Sequence, residues 1–413
     1  MIDRLPIVGT SLARVDGVAK VAGAARYVDD HHPPGTLWGR TVRSAVPHGV
    51  LRAVRRDPAF DWDGVVFATA DDVPGENVVA LIVDDQPALI PVGGTIRHVA
   101  EPVALVAAET KERAEAAWRA VSLEVESRPA VFDLEEALRD ETRVFKRYRI
   151  DTGGVDEAMA RAAHVVEGVY RTGAQEQMYI EPQGMLAEWL PGGACRVLGS
   201  MQCPYYVHKA LVRALGLPGE KVVVEQAVTG GGFGGKEEYP SILAIHAAVL
   251  ARKAGRTVKV VYERDEDVAA TTKRHPSIVR HRLGLDRDGT FLAADVDVAL
   301  DGGAYATLSA VVLSRGVLHA PGPYRIPHVR VAGRVVATNH PPHGAFRGFG
   351  APQTIFASER QVQKAARRLG IDPFELRRQN RLRPGDSPAT GQALVDSVGS
   401  AEVLGAVERA WAL

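Results

Sequence analysis

Apolar residues along this chain fall into runs of two periods. Pro102 to Ala107 (PVALVA) is short, β-branched and bounded by turn residues, the pattern of a strand buried on both faces. Val78 to Val83 (VVALIV) reads the same way. Between Lys111 and Val121 the apolar side chains Ala114, Ala117, Trp118 and Val121 recur at helical spacing, and Val121 to Val125 follows as a strand. These elements predict a small α+β unit over residues 21–135. An N-terminal arm of residues 1–20 packed on the body precedes it, and a linker runs through Ser127-Arg-Pro and Asp133 to Asp140.

From about residue 145 the runs lengthen into a second, mixed α+β unit, residues 145–413. Strands are predicted at Ala163 to Arg171, Gly184 to Leu190, Arg196 to Ser200, Lys221 to Val228 and Val258 to Tyr262. Ile278 to Leu285 and Phe291 to Leu300 form a hairpin across Asp286-Arg-Asp-Gly289, and Val329 to Ala337 is a further strand. Helices are predicted at Tyr205 to Leu215, Glu237 to Ala254, Asp265 to Thr272, near 353–369 and near 399–411.

Composition narrows the function classes. Hydrophobic residues make up 46% and charged residues 24% of 413, an ordinary balance for a globular protein of two or three domains. The formal net charge is zero, so no field of one sign recruits nucleic acid or an anionic membrane. The basic runs Arg52, Arg55, Arg56 and Arg377, Arg378, Arg381 read as solvated surface. Cys195 and Cys203 are too few for an iron–sulfur cluster and too far apart for a CxxC clip; they read as two buried reduced thiols, with a lone disulfide as the alternative. No apolar run reaches membrane-span length and the start lacks a signal-peptide pattern, so a cytoplasmic address is expected.

Two loops carry the candidate chemistry. Gly230-Gly-Gly-Phe-Gly-Gly-Lys236-Glu237 follows one predicted strand and opens a helix, so its backbone N–H groups can converge on an anion site with the helix dipole behind it. Gly230, Gly232 and Gly235 satisfy a dinucleotide fingerprint, but the acidic residues Glu263 and Asp265 come about thirty positions on, later than the expected twenty. A phosphate loop also fits Gly230 with Gly235-Lys236, but Glu237 stands where Mg²⁺ needs a hydroxyl. A pterin-cofactor loop, with Phe233 and Glu237 facing a cavity, is the third reading, and a plain tight turn the fourth. The second loop, His343 to Gln353 (HGAFRGFGAPQ), holds two aromatics and an arginine among glycines that disfavour a helix. Two distant Gly/Phe loops suggest opposite walls of one slot for a flat ligand. His275, His319 and His343 lack ligand spacing and read as structural.

At these loops the sequence resembles the xanthine dehydrogenase and aldehyde oxidase family of molybdenum hydroxylases. Gly230 to Glu237 and Ala345 to Gln353 look like its two molybdopterin-loop motifs. Gln175 to Pro182 (QEQMYIEP) and Gly199 to Gln202 (GSMQ) resemble its strand motifs, while Ala22 to Asp30 and Asp71 to Pro74 resemble its α/β hammerhead domain. The resemblance implies an α+β chain in which a small hammerhead domain precedes the first half of a molybdopterin-binding domain. Gln202 is similar to the glutamine that hydrogen-bonds the metal's apical oxygen. Phe233 and Gly234 resemble the pair whose backbone N–H groups line metal and pterin, and Arg347 the residue whose backbone N–H reaches the metal's oxygen ligands. The protein then supplies donors around molybdenum and no direct ligand. Phe349 resembles the ring that stacks on a flat substrate; Glu237 and Arg315 match the carboxylate and guanidinium that grip purines. Plainer roles stand beside these: Gln202 satisfying backbone, Arg315 in a surface ion pair, Glu237 as a helix-start charge.

The implied activity is oxidative hydroxylation of an N-heteroaromatic ring, purine or pyridine type, with water as oxygen source. The family's catalytic base, a glutamate in a Gly-Glu-Pro-like segment, has no counterpart after Gln353. A partner chain is therefore expected to supply it, as in nicotinate dehydrogenase-like members that divide the molybdenum subunit over two polypeptides. Further subunits are expected to carry the 2Fe-2S and FAD groups. A truncated, non-catalytic cofactor-holding or scaffold module is the alternative, as is an aldehyde-oxidising member.

Overall fold

The computed structural model describes residues 7, 9–79 and 81–411. Its strands, in chain order, are β1 (Leu37–Arg43), β2 (Gly49–Arg56), β3 (Val66–Thr69), β4 (Thr95–Ile96), β5 (Pro102–Ala108), β6 (Val121–Ser127), β7 (Val144–Asp151) and β8 (His164–Thr172). They continue as β9 (Gly184–Leu190), β10 (Ala194–Gly199), β11 (Val222–Gln226), β12 (Val258–Val261), β13 (Ser277–Leu285), β14 (Phe291–Asp301) and β15 (His328–Val336). The helices are α1 (Gly17–Val21), α2 (Lys111–Arg119), α3 (Leu134–Ala137), α4 (Val155–Arg161), α5 (Pro204–Leu215), α6 (Pro240–Ala254), α7 (Arg264–Ala270), α8 (Ser309–His319), α9 (Ala351–Leu369), α10 (Pro373–Asn380) and α11 (Ser400–Trp411).

A seven-stranded sheet, ordered β11-β10-β9-β12-β1-β5-β3, joins the two stretches read apart in the sequence. Leu37 to Gly39 pair in parallel with Val258 to Val260, so early strands share a ladder and a core with late ones. β5 is buried along its whole length because α2 covers one face and α6 the other, which is why its sequence does not alternate. Almost every side chain of α6 is buried, and its alanines let it lie close on the sheet. The second sheet, β7-β15-β14-β13-β8, packs its apolar face against α8 and α9. A third sheet, β4-β2-β6, is small, and its exposed arginines Arg52 and Arg55 pair with Glu126 and Glu124 across strands.

Several expectations change. Val78 to Val83 is not a strand: the described residues bend, Val79 N–H reaches back to Gln86 C=O at 2.8 Å, and Ile82 and Val83 are 51% and 48% exposed. Asn77 clamps this turn by bonding both edges of Leu89, and Ala80 lies outside the described residues. The arm is not packed down in its described part, where α1 buries no residue and closes locally through Asp16, paired with Arg14 and Lys20. Helix α6 begins at Pro240 rather than Glu237, since proline suits a first turn whose N–H groups lack partners. Helix α8 was not anticipated. Among the described residues no helix is long and apolar enough to cross a membrane.

The segment between β8 and β9 crosses from the second sheet to the first. The loop after β11 and the loop between β15 and α9 meet along this seam, and the candidate site lies there.

Candidate functional site

The seam is built from behind by the segment Gln175 to Gln183, whose alternate side chains point inward. Gln177 Nε2 donates to Ala345 C=O at 2.8 Å, and Gln183 Nε2 to Gly235 C=O at 2.7 Å. Tyr179, fully buried, donates to Asp267 Oδ1 at 2.6 Å. Glu181 Oε2 accepts from Gly230 N–H at 2.7 Å, Ser200 Oγ at 2.6 Å and Lys236 Nζ at 3.0 Å. Met178 and Ile180, between these anchors, are left 60% and 91% exposed. The polar residues at alternate positions of QEQMYIEP were a readable sign of these brackets, but they were not singled out.

Lys236 decides against a phosphate loop, because its ammonium is fully buried on Glu181 and Ser200, turned inward from the loop. A dinucleotide fold is also excluded: β12, which carries the candidate ribose carboxylates at its end, returns three places across the sheet from β11. The expected anion site at a helix start does not form. Gly230 N–H is spent on Glu181, those of Gly234 and Lys236 on Gln202 Oε1, and residues 237–239 separate the loop from α6.

The two loops touch through main chain. Arg347 N–H donates to Phe233 C=O at 2.9 Å, and a Cβ on Gly234 would lie 2.6 Å from Ala345 C and O. Phe233 (φ +52°) and Phe349 (φ +50°), one in each loop, adopt the left-handed conformation that costs a bulky residue roughly 1–2 kcal/mol. Such strain persists only where the surroundings impose it, and it concentrates at binding sites. Here Arg274 stacks its guanidinium 3.9 Å from the Phe346 ring and donates to Arg347 C=O at 3.0 Å.

A cavity of about 360 Å³ opens between the loops, lined by Gln202, Phe233, Gly234, Glu237, Arg315, Phe346, Arg347, Gly348 and Phe349. All seven residues singled out from the sequence thus share one cavity. Phe346 and Gly348 join them without having been assigned a part. Some donors are not where they were expected: the N–H groups of Gly234 and Arg347 are engaged within the chain, whereas that of Phe233 has no acceptor among the described residues. Gln202 accepts from Gly234 N–H at 2.9 Å and from Lys236 N–H at 3.4 Å through Oε1, which forces its Nε2 donor to face elsewhere. So the plainer role of Gln202 holds for one end of its amide and leaves the other end open.

Arg315 projects from α8 with its guanidinium 5.4 Å from the Phe349 ring. Among the described residues neither Arg315 nor Glu237 forms an ion pair, and Glu237 is not in a helix. Burial raises the Glu237 carboxyl above the usual range while the Arg315 charge pulls it back. The two are opposed charges on one cavity wall, held apart. The other singled-out groups are structural: His275 bonds Ser309 Oγ at 2.8 Å deep in the core, and His343 lies against Asp301 at 3.6 Å. Cys195 and Cys203 are free thiols.

These residues suit a flat group that brings its own metal ligands. The lining includes Gln202, Phe233 and the two arginines Arg315 and Arg347. Among the described residues no cluster of His, Cys, Asp or Glu is placed to hold a bare metal ion.

Comparison with known proteins agrees with this architecture. Residues 138–381 match the molybdopterin cofactor-binding domain, and residues 22–129 match the aldehyde oxidase and xanthine dehydrogenase a/b hammerhead domain. The chain belongs to the xanthine dehydrogenase and aldehyde oxidase family of molybdenum-dependent oxidoreductases. It is 35% identical over 406 residues to the nicotinate dehydrogenase large molybdopterin subunit of Eubacterium barkeri, covering 96% of this chain and 95% of that one. It is 37% identical over 407 residues to a probable xanthine dehydrogenase subunit of Bacillus subtilis, covering 97% of this chain but 54% of that one. Aldehyde oxidoreductase from Desulfovibrio gigas superposes with a TM-score of 0.90 at 30% identity, over 96% of this chain and 46% of that one. Quinoline 2-oxidoreductase from Pseudomonas putida 86 superposes with a TM-score of 0.89 at 28% identity, over 98% and 54%. The chain therefore spans about half the length of several of these relatives and nearly all of one.

Proposed function

We propose that this chain is the molybdopterin-binding subunit of a molybdenum hydroxylase acting on a nitrogen heteroaromatic ring. The observation that carries the reading is the single cavity lined by Gln202 and Phe233 together with Glu237, Arg315 and Phe349. Gln202 Nε2 and the Phe233 N–H would hold the cofactor; Arg347, its own N–H turned to Phe233, fixes the seat of its loop on the same cavity. The bound molybdopterin supplies two-electron oxidation with water as the oxygen source. Glu237 accepts a ring N–H, Arg315 donates to a ring carbonyl or nitrogen, and Phe349 stacks on the ring plane. With no ion pair between them, Glu237 and Arg315 can each turn to substrate and stabilise charge developing on the ring.

Two relatives are named for nitrogen heterocycles, nicotinate and quinoline, and a carboxylate and a guanidinium lining one cavity suit such rings. The aldehyde oxidoreductase relative makes an aldehyde the competing substrate, for which this charged pair has no use. Glu237 is the one carboxylate among the described residues that line the cavity, and a relative covered over 95% of its length is named a large molybdopterin subunit; in this reading a second molybdopterin chain supplies the general base, and iron–sulfur and FAD subunits carry the electrons away. The test is metal and pterin analysis of the complex isolated with its native partners, alongside turnover of nicotinate, xanthine and an aldehyde. Stoichiometric molybdenum with heteroaromatic turnover supports the reading. A metal-free, partnerless chain, or turnover of aldehyde alone, refutes it.

A further inference from the structure

A buried carboxyl, Glu238, supports the second loop from within the chain. Glu238 is 4% exposed, and its Oε1 accepts the Ala345 N–H at 3.0 Å. A Cβ on Gly344 would stand 1.5 Å from that same Oε1, so the carboxyl occupies the space that glycine leaves. The other oxygen, Oε2, and the Oγ1 of neighbouring Thr272 are both buried without a hydrogen bond of regular geometry, although the hydroxyl lies close enough to pull the carboxyl's pKa down. A carboxyl buried on a single well-made main-chain hydrogen bond is costly, and its position calls for a reason. The Ala345 peptide is held on both edges, N–H by Glu238 and C=O by Gln177. Two residues on, Arg347 N–H meets Phe233 C=O.

We propose that Glu238 is a positioning residue that seats the second loop of the site through the Ala345 N–H and so sets where Arg347 and Phe349 stand on the cavity wall. The proposal rests on the molybdopterin reading only for its consequence, cofactor retention; the seating itself is a property of the chain. The groups that face Glu238 are Glu237 beside it, Thr272 after α7, the Ala345 N–H of the second loop, and Cys203 and Tyr206 near the start of α5. Burial pushes the Glu238 carboxyl up to about 7, with Glu237 adding to the rise and the Ala345 N–H opposing it. A proton on Oε2 removes the buried charge and leaves the Oε1 acceptor in place.

The experiment is hydrogen–deuterium exchange of the peptide covering residues 343–350, read with molybdenum content per chain, in the complex as isolated. Glu238→Ala speeds exchange of that peptide about tenfold, the loss of one buried hydrogen bond. Glu238→Gln, which keeps the acceptor, stays near wild type, and a core peptide from β13 is unchanged in both. Where the alanine variant does not fold, Glu238→Asp withdraws the acceptor by one methylene and takes its place. Unchanged exchange in Glu238→Ala, or equally fast exchange in Glu238→Gln, overturns the proposal. If exchange responds as stated while no preparation contains molybdenum, the positioning role stands and the cofactor reading falls.

Discussion

Gly234→Ala tests whether contact between the two loops forms the site. Gly234 has φ +102°, and an added Cβ would meet Ala345 C and O at 2.6 Å and Phe346 Cα at 2.8 Å. To reach an ordinary contact of 3.4 Å the second loop must retreat by about 0.8 Å, the difference between the two distances. That retreat stretches the 2.9 Å bond from Arg347 N–H to Phe233 C=O beyond hydrogen-bonding range. Losing this bond and disturbing the one from Gly234 N–H to Gln202 costs about 1 kcal/mol each. Backbone strain at positive φ adds about 1–2 kcal/mol, for a total near 3–4 kcal/mol. Gly255→Ala is the matched control: φ is +62° and nothing lies within 4 Å of the new Cβ, so only strain of about 1 kcal/mol remains. The assay is urea unfolding of both variants with molybdenum per chain measured after gel filtration. Gly234→Ala loses most of its metal, and Gly255→Ala keeps it. Equal metal content in the two variants refutes the claim that loop contact builds the site.

Other outcomes follow from the same geometry. Glu237→Gln leaves molybdenum content near wild type and sharply lowers turnover of heteroaromatic substrates; lost metal instead assigns Glu237 to cofactor binding. Because Arg315 holds the raised Glu237 carboxyl down, Arg315→Met raises it further. The charged form, present above that pKa, is then lost at a higher pH as acid is added, so the acid limb of the pH–rate profile moves upward; an unmoved limb shows that the two charges do not communicate. Lys236→Met leaves Glu181 without its buried ammonium and destabilises the chain by about 3 kcal/mol in urea unfolding. A neutral result there means that Ser200 and the Gly230 N–H suffice for Glu181.

The sequence alone determined most elements of regular structure and nominated seven residues that line one cavity. Period and turn chemistry are local properties: the hairpin at Asp286 to Gly289 closes as its residues dictate, with Gly289 at φ +89° and its N–H on Asp286 C=O. The paired glycine-and-phenylalanine loops were legible because flexible and bulky residues rarely alternate without cause. Tertiary structure alone decided which donors remain open. Gly234 N–H is consumed by a side chain 32 residues away, and the Ala345 N–H by one 107 residues away. It also placed Lys236 inward, gathered Arg315 from an unforeseen helix, and turned VVALIV into a bend pinned by Asn77. A donor's partner, unlike a strand's period, is chosen by packing between distant segments, and no local pattern encodes it.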